Sequence, residues 1–167
     1  MRLVFISCFL AILLVTKGYG QTVQPVPVAS EGRTVVEETI QKTKVRIVIR
    51  THTLEIGKPS DTKINKISSS CTYSKYPCSL VDGIDIVVGG NSIPVPRSAF
   101  CDLADLSNAT INEVKKSFVL SLEGGDASES YVVKIEFDSK HVINRKMYDG
   151  ESKELLQETT YHQVVID

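Results

Sequence analysis

Ser117-Phe118-Val119-Leu120-Ser121-Leu122-Glu123 and Tyr131-Val132-Val133-Lys134-Ile135-Glu136-Phe137 decide the fold class. Both stretches alternate in polarity at every second residue, and the second sets Tyr131, Val133, Ile135 and Phe137 on one face. Successive strand side chains point to opposite faces, so this period predicts half-buried strands. His141 to Tyr148 and Leu155 to Ile166 continue the series. Asp138-Ser139-Lys140 and Asp149-Gly150-Glu151-Ser152 supply the turn chemistry between them. Strands that follow one another through short turns form an antiparallel meander.

The same period recurs upstream. Lys44-Val45-Arg46-Ile47-Val48-Ile49-Arg50 places Val45, Ile47 and Ile49 on one face, and Thr53-Leu54-Glu55-Ile56 continues it up to a turn cluster at 57–61. Ile84-Asp85-Ile86-Val87-Val88, then Gly89-Gly90-Asn91, then Ser92-Ile93-Pro94-Val95-Pro96 reads as a hairpin. Its prolines lack N–H donors and predict a short or edge strand. Asp82-Gly83 reads as a turn. Phe100, Leu103 and Ala104 recur at helical spacing, with Ser98 as N-cap and Asp102 in the first turn, which predicts one short helix near 98–106. Pro25 and Pro27 make 21–32 a loose arm before a single β-rich domain, 33–167. The expected fold is mainly β, an antiparallel meander forming a sandwich or an open barrel.

At the N-terminus Arg2 precedes an apolar run from Leu3 to Val15, closed by Lys17 and by Gly18-Tyr19-Gly20. This is the pattern of a secretory signal peptide over residues 1–20, cleaved before Gln21. The run is shorter than the roughly 20 apolar residues of a spanning helix, so no membrane span is expected after cleavage. The expected location is secreted or periplasmic. The whole chain of 167 residues has a net charge of −1; loss of Arg2 and Lys17 with the leader gives −3. Acids and lysines are interspersed, with no basic stripe for nucleic acid. Cys71, Cys78 and Cys101 remain, and an oxidising compartment favours pairing two of them. Cys71 and Cys78 flank a short segment bent by Pro77 and are the expected disulfide, although a Cys78–Cys101 bridge is also open. Cys101 sits in an apolar-periodic stretch and is expected as a buried thiol, the alternative being an intermolecular disulfide or a reactive thiol.

Metal ligation is not expected, because the cysteines lack C-x-x-C spacing and His52, His141 and His162 are scattered. The loop Glu123-Gly124-Gly125-Asp126-Ala127-Ser128-Glu129-Ser130 is polar between two strong strands. Asp126, Ser128 and Glu129 make it a candidate binding loop, while Tyr131 and Phe137 stand where a calcium loop requires glycine and a carboxylate. Tyr73 and Tyr76, inside the proposed small ring, are a second candidate, since tyrosine offers large contact area at low entropy cost. The alternative for these rings is to cap the core. Asp82, Asp85, Asp102 and Asp105 are conceivable acid/base carboxylates, with Asp102 and Asp105 three apart on the expected helix. No nucleophile elbow, phosphate loop or dinucleotide glycine pattern occurs, and no cofactor is expected. Asn108-Ala109-Thr110 fits a glycosylation acceptor in a eukaryotic source.

Val95-Pro96-Arg97-Ser98-Ala99-Phe100, Gly124-Gly125-Asp126-Ala127-Ser128-Glu129-Ser130-Tyr131 and Glu158-Thr159-Thr160-Tyr161 resemble small uncharacterised exported proteins of bacteria, over Pro94 to Tyr161. The resemblance implies a periplasmic setting and brings no activity with it. The expected function is a non-catalytic exported domain that binds a protein or an envelope component. The rivals are a hydrolytic or redox enzyme assembled from dispersed residues such as Cys101, Asp102 and His162, and a structural envelope protein.

Overall fold

The computed structural model describes residues 24–55, 70–72 and 75–162. The leader, residues 21–23, the turn cluster at 57–61, Tyr73 and residues 163–166 lie outside them. The described residues contain ten strands: β1 (Val26–Pro27), β2 (Gly32–Ile40), β3 (Thr43–Leu54), β4 (Cys78–Val88), β5 (Asn91–Ile93), β6 (Leu106–Val114), β7 (Ser117–Gly124), β8 (Tyr131–Phe137), β9 (Val142–Asp149) and β10 (Leu155–Thr160). They form two antiparallel sheets, one ordered β1-β6-β7-β8-β9-β10 and the other β2-β3-β4-β5. The arrangement is sandwich-like, as the alternation implies.

The inward residues of the two sheets make one core. Leu120, Leu122, Val133, Ile135 and Phe137 from the larger sheet meet Val45, Ile47, Ile49, Ile84 and Ile86 from the smaller. Register sets these faces: Leu120 pairs with Ile135, Leu122 with Val133, Ile47 with Ile86 and Ile49 with Ile84. A slip of one residue would turn every one of them to solvent. The β4–β5 turn uses Gly89 and Gly90, both at positive φ, which matches the twist of the flanking strands. β5 is the short edge strand that Pro94 and Pro96 foretell.

Three expectations are corrected. The helix near 98–106 is absent: a single 3-10 turn spans Arg97–Ala99, with Pro96 rather than Ser98 at its N-cap. Phe100, Leu103 and Ala104 are buried as their spacing implies, but through successive turns, such as Leu103 N–H to the Phe100 carbonyl. Asp105 then adopts φ 52° and Leu106 enters β6, where the ladder with β7 replaces helical hydrogen bonds. The described part of the N-terminal arm is tied down. Val26 and Pro27 pair with Ala109 and Asn108, and the hydroxyls of Thr51 and Ser79 donate to the carbonyls of Ala29 and Ser30. Asp82-Gly83 lies within β4, where register slips opposite Arg50–Thr51. Gly83 leaves room there for the Arg50 guanidinium, which lies across it and ion-pairs with Asp85.

Candidate functional site

Two chain segments meet at one end of the sandwich. The first is the ring closed by the Cys71–Cys78 disulfide, whose Cα atoms are 5.6 Å apart. Asp105 organises it from below. Its fully buried carboxylate accepts hydrogen bonds from the backbone N–H groups of Thr72 (3.0 Å) and Ser79 (2.9 Å), and its own N–H donates to the Ser79 carbonyl. The Asp105 carbonyl accepts from Lys75 Nζ at 3.3 Å. Tyr76 is half-buried and packs on the cluster of Cys71, Cys78 and Ala104.

The second segment is the loop after β7. Gly124 has no room for a side chain, because a Cβ there would meet the Tyr131 ring. Gly125 sits at φ 73°, and a Cβ there would run into the backbone of Glu129 and Ser130, so only glycine fills the position without strain. The loop then makes a 3-10 turn over Ala127–Glu129, and Asp126, Ser128 and Glu129 are exposed. Gly125 N–H donates to the Asp105 carbonyl at 3.3 Å. One residue, Asp105, therefore holds the ring with its side chain and the loop with its backbone.

Between them lies a pocket of about 320 Å³ lined by Ser70, Cys71, Thr72, Asp102, Glu129, Tyr131 and Met147. Its floor is polar and fixed. The Tyr131 hydroxyl donates to the Ala104 carbonyl (2.5 Å) and accepts from the Ala104 N–H (3.0 Å). Burial pushes this phenol well above the usual tyrosine range. Asp102 receives both of its carboxylate oxygens' bonds from one Arg145 nitrogen, at 2.9 and 2.8 Å, and Arg145 also donates to Gln157 at 2.7 Å. The Arg145 side chain is 1% exposed and that of Asp102 is 43% exposed, so Asp102 carries the charge balance out to the pocket wall. The pocket presents hydroxyls, two carboxylates, an aromatic ring and two sulfur-bearing side chains, a surface suited to mixed polar and apolar contacts.

Of the residues singled out in the sequence, Cys71, Asp102 and Glu129 line the pocket. Asp126 and Ser128 stand on the same exposed loop, Tyr76 caps the small cluster beside the disulfide, and Tyr73 is not among the described residues. Asp102 and Asp105 share no helix face: one pairs with Arg145 and the other is buried on backbone donors. Cys101 is an exposed free thiol rather than a buried one, because the expected helix that would have turned it inward is not formed. Tyr131, Arg145 and Met147 were not anticipated. One signal was available for Arg145, which falls at an inward position of β9 opposite Ile135. A charge at an apolar-face position calls for a partner.

His52 Nδ1 lies 2.7 Å from Asp82 in an exposed pair, and His141 Nδ1 lies 3.3 Å from Asp138 in a half-buried one. Among the described residues no group of three or more His, Cys, Asp or Glu is placed to hold a metal ion, and no helix is long and apolar enough to cross a membrane. The disulfide is compatible with an extracellular or periplasmic location. Comparison with family models, with curated proteins and with solved structures returns no match to the chain.

Proposed function

We propose that this chain is an exported, non-catalytic binding domain, acting in the periplasm or outside the cell. Its partner is a protein or an envelope component, and the contact is made by the end of the sandwich that carries the Cys71–Cys78 ring and the 123–130 loop. Tyr73, Tyr76, Asp126, Ser128 and Glu129 are its proposed contact residues. The observation that carries this reading is the convergence of two segments, chosen separately from sequence, around one pocket pinned by Asp105. Rigid loops on a β scaffold present side chains with little ordering cost on binding.

The test is capture of the partner from the organism's own envelope or extracellular fraction, with the wild-type chain beside a Glu129→Lys, Asp126→Lys double variant. Both side chains are exposed, so the fold should survive the exchange. The expected result is one partner retained by the wild type and lost, at least about tenfold, by the variant. Equal retention of every partner by both proteins contradicts the reading.

A further inference from the structure

We infer that Arg33 and Arg50, on the solvent face of the smaller sheet, form a binding site for a phosphate or sulfate group, free or carried as an ester. The site uses none of the residues that line the pocket, and the inference does not depend on the function proposed there.

Register brings the two side chains together. Arg33 of β2 lies directly opposite Arg50 of β3. Thr34, Val36 and Ile49 beside them are buried, so the strand alternation turns both arginines outward, and both are exposed. Opposed strand residues hold their Cβ atoms about 4.5–5.5 Å apart, and like charges in that position destabilise the pair. The other cations of this face have carboxylates of their own. Lys44 and Arg46 share Glu37, Arg50 meets Asp85, and His52 Nδ1 lies 2.7 Å from Asp82. Among the described residues Arg33 has no such partner. An anion held by Arg33 and Arg50 together turns their repulsion into two attractions.

The Arg50 guanidinium is fixed in advance. Its Nη1 and Nη2 donate to the two oxygens of Asp85, and it lies across Gly83, where a Cβ would come within 2.5 Å of Nη2. β4 bulges at the same point: Arg50 pairs with Gly83 but Thr51 with Val81, which leaves Asp82 unpaired. A glycine inside a strand and a bulge each weaken a sheet, and bulges re-aim side chains beside binding sites. Asp85 is held below the usual carboxylate range, first by the Arg50 hydrogen bond and then by the charges of Arg50, Arg33 and Arg46. One carboxylate thus lies within electrostatic reach of three guanidinium groups.

The donors select the ligand. A guanidinium carries five N–H donors, and Asp85 engages the two end nitrogens of Arg50 and leaves its Nε free. A carboxylate has two oxygens, and one guanidinium fork occupies both, as Asp85 shows on Arg50. A phosphate or sulfate group offers at least three oxygens. That is enough to take the fork of Arg33 and the remaining donors of Arg50 at once.

Titration of the chain with inorganic phosphate, inorganic sulfate, glycerol phosphate and acetate tests the inference, read on the arginine Nε–H signals by NMR at one ionic strength. The expected result is saturable shifts at Arg33 and Arg50 with the tetrahedral anions and weaker binding of acetate. Tighter binding of glycerol phosphate than of the inorganic ions marks an ester as the ligand, and the reverse marks a free anion. Arg33→Gln should weaken binding at least about tenfold. Gly83→Ala keeps every charge and displaces only the Arg50 guanidinium, and it should weaken binding about threefold or more. Lys134→Gln, an equal loss of charge on the larger sheet, should change nothing, and all three variants should keep the unfolding midpoint. Three results overturn the inference: shifts that never saturate, acetate bound as tightly as phosphate, or equal weakening by Arg33→Gln and Lys134→Gln.

Discussion

Asp105 shows how much one buried carboxylate can organise. It adopts φ 52°, which aspartate tolerates better than most residues, and this aims its side chain at the Thr72 and Ser79 amides. Asp105→Ala leaves two buried donors without an acceptor and should cost about 2–4 kcal/mol, while Asp105→Asn keeps one acceptor and should cost about half as much. Urea unfolding of both variants checks the order. Equal and small losses would mean that water replaces the carboxylate. Arg145 makes a parallel case. Removing its partner with Asp102→Ala strands a buried charge, which costs about 3–5 kcal/mol for a fully buried pair; half-exposure of Asp102 reduces the expected loss to about 2 kcal/mol. The Asp102→Asn, Arg145→Met double variant removes both charges together and should be more stable than Asp102→Ala alone. A double variant weaker than the single one would refute the account of this pair.

At the scale of elements, strands with one apolar face were legible and those with small or polar residues were not. β3, β4, β7 and β8 announce themselves through Val, Ile, Leu and Phe at period two. β2 and β6 escaped the reading because their apolar inward residues, Val36 and Ile40 in one and Leu106, Ala109 and Ile111 in the other, are spaced by polar or small ones rather than alternating regularly. The segment from Ser98 to Leu106 misled because buried turns and a buried helix share the spacing of apolar residues; what separates them is the pairing of Leu106–Val114 with β7, which local sequence does not show. The turn after β9 was read correctly through its side chains, whereas Asp82-Gly83 lies within β4. Asp149 Oδ1 accepts from the N–H groups of Glu151 and Ser152 and from the Ser152 hydroxyl.

Those bonds give the fold an acid limit. Backbone bonding from Ser152 holds the Asp149 carboxyl below its ordinary range, and hydrogen bonding from Arg50 does the same for Asp85. A depressed carboxyl contributes stability that is full above the unfolded-state value, about 3.9, and is lost as pH falls through the folded-state value. Urea midpoints should therefore be flat near neutrality and drop below about pH 4. Asp149→Asn should make that drop shallower, and an unchanged acid limb would contradict the assignment. Tyr131 sets an opposite limit. Its raised phenol contributes stability that is present below about pH 10 and lost as pH climbs towards the folded-state value. Tyr131→Phe should weaken that alkaline dependence.

For the whole molecule, the sandwich places its two sheets so that the ring, the 103–105 segment and the loop after β7 converge at one end. The class of fold followed from periodicity, and the loop and disulfide that rim the pocket followed from composition and spacing. Their convergence did not, because Asp105, Tyr131 and Met147 reach the site only through long-range pairing. The ring matters to this end more than to the core. Replacing Cys71 and Cys78 by serine should cost about 2–3 kcal/mol by loss of loop closure in the unfolded chain, and should abolish partner capture at temperatures where circular dichroism still reports folded sheet. Full capture without the disulfide would separate the ring from binding.

The most direct measurement is site-specific photo-crosslinking in the native extracellular or envelope setting, with the photoreactive residue placed at Glu129 in one protein and at Lys134, on an exposed strand face, in another. A single partner attached from position 129, with new crosslinks at Lys75, and nothing attached from position 134 is the predicted result. Attachment from position 134 with none from 129 would contradict a binding surface at the ring-and-loop end.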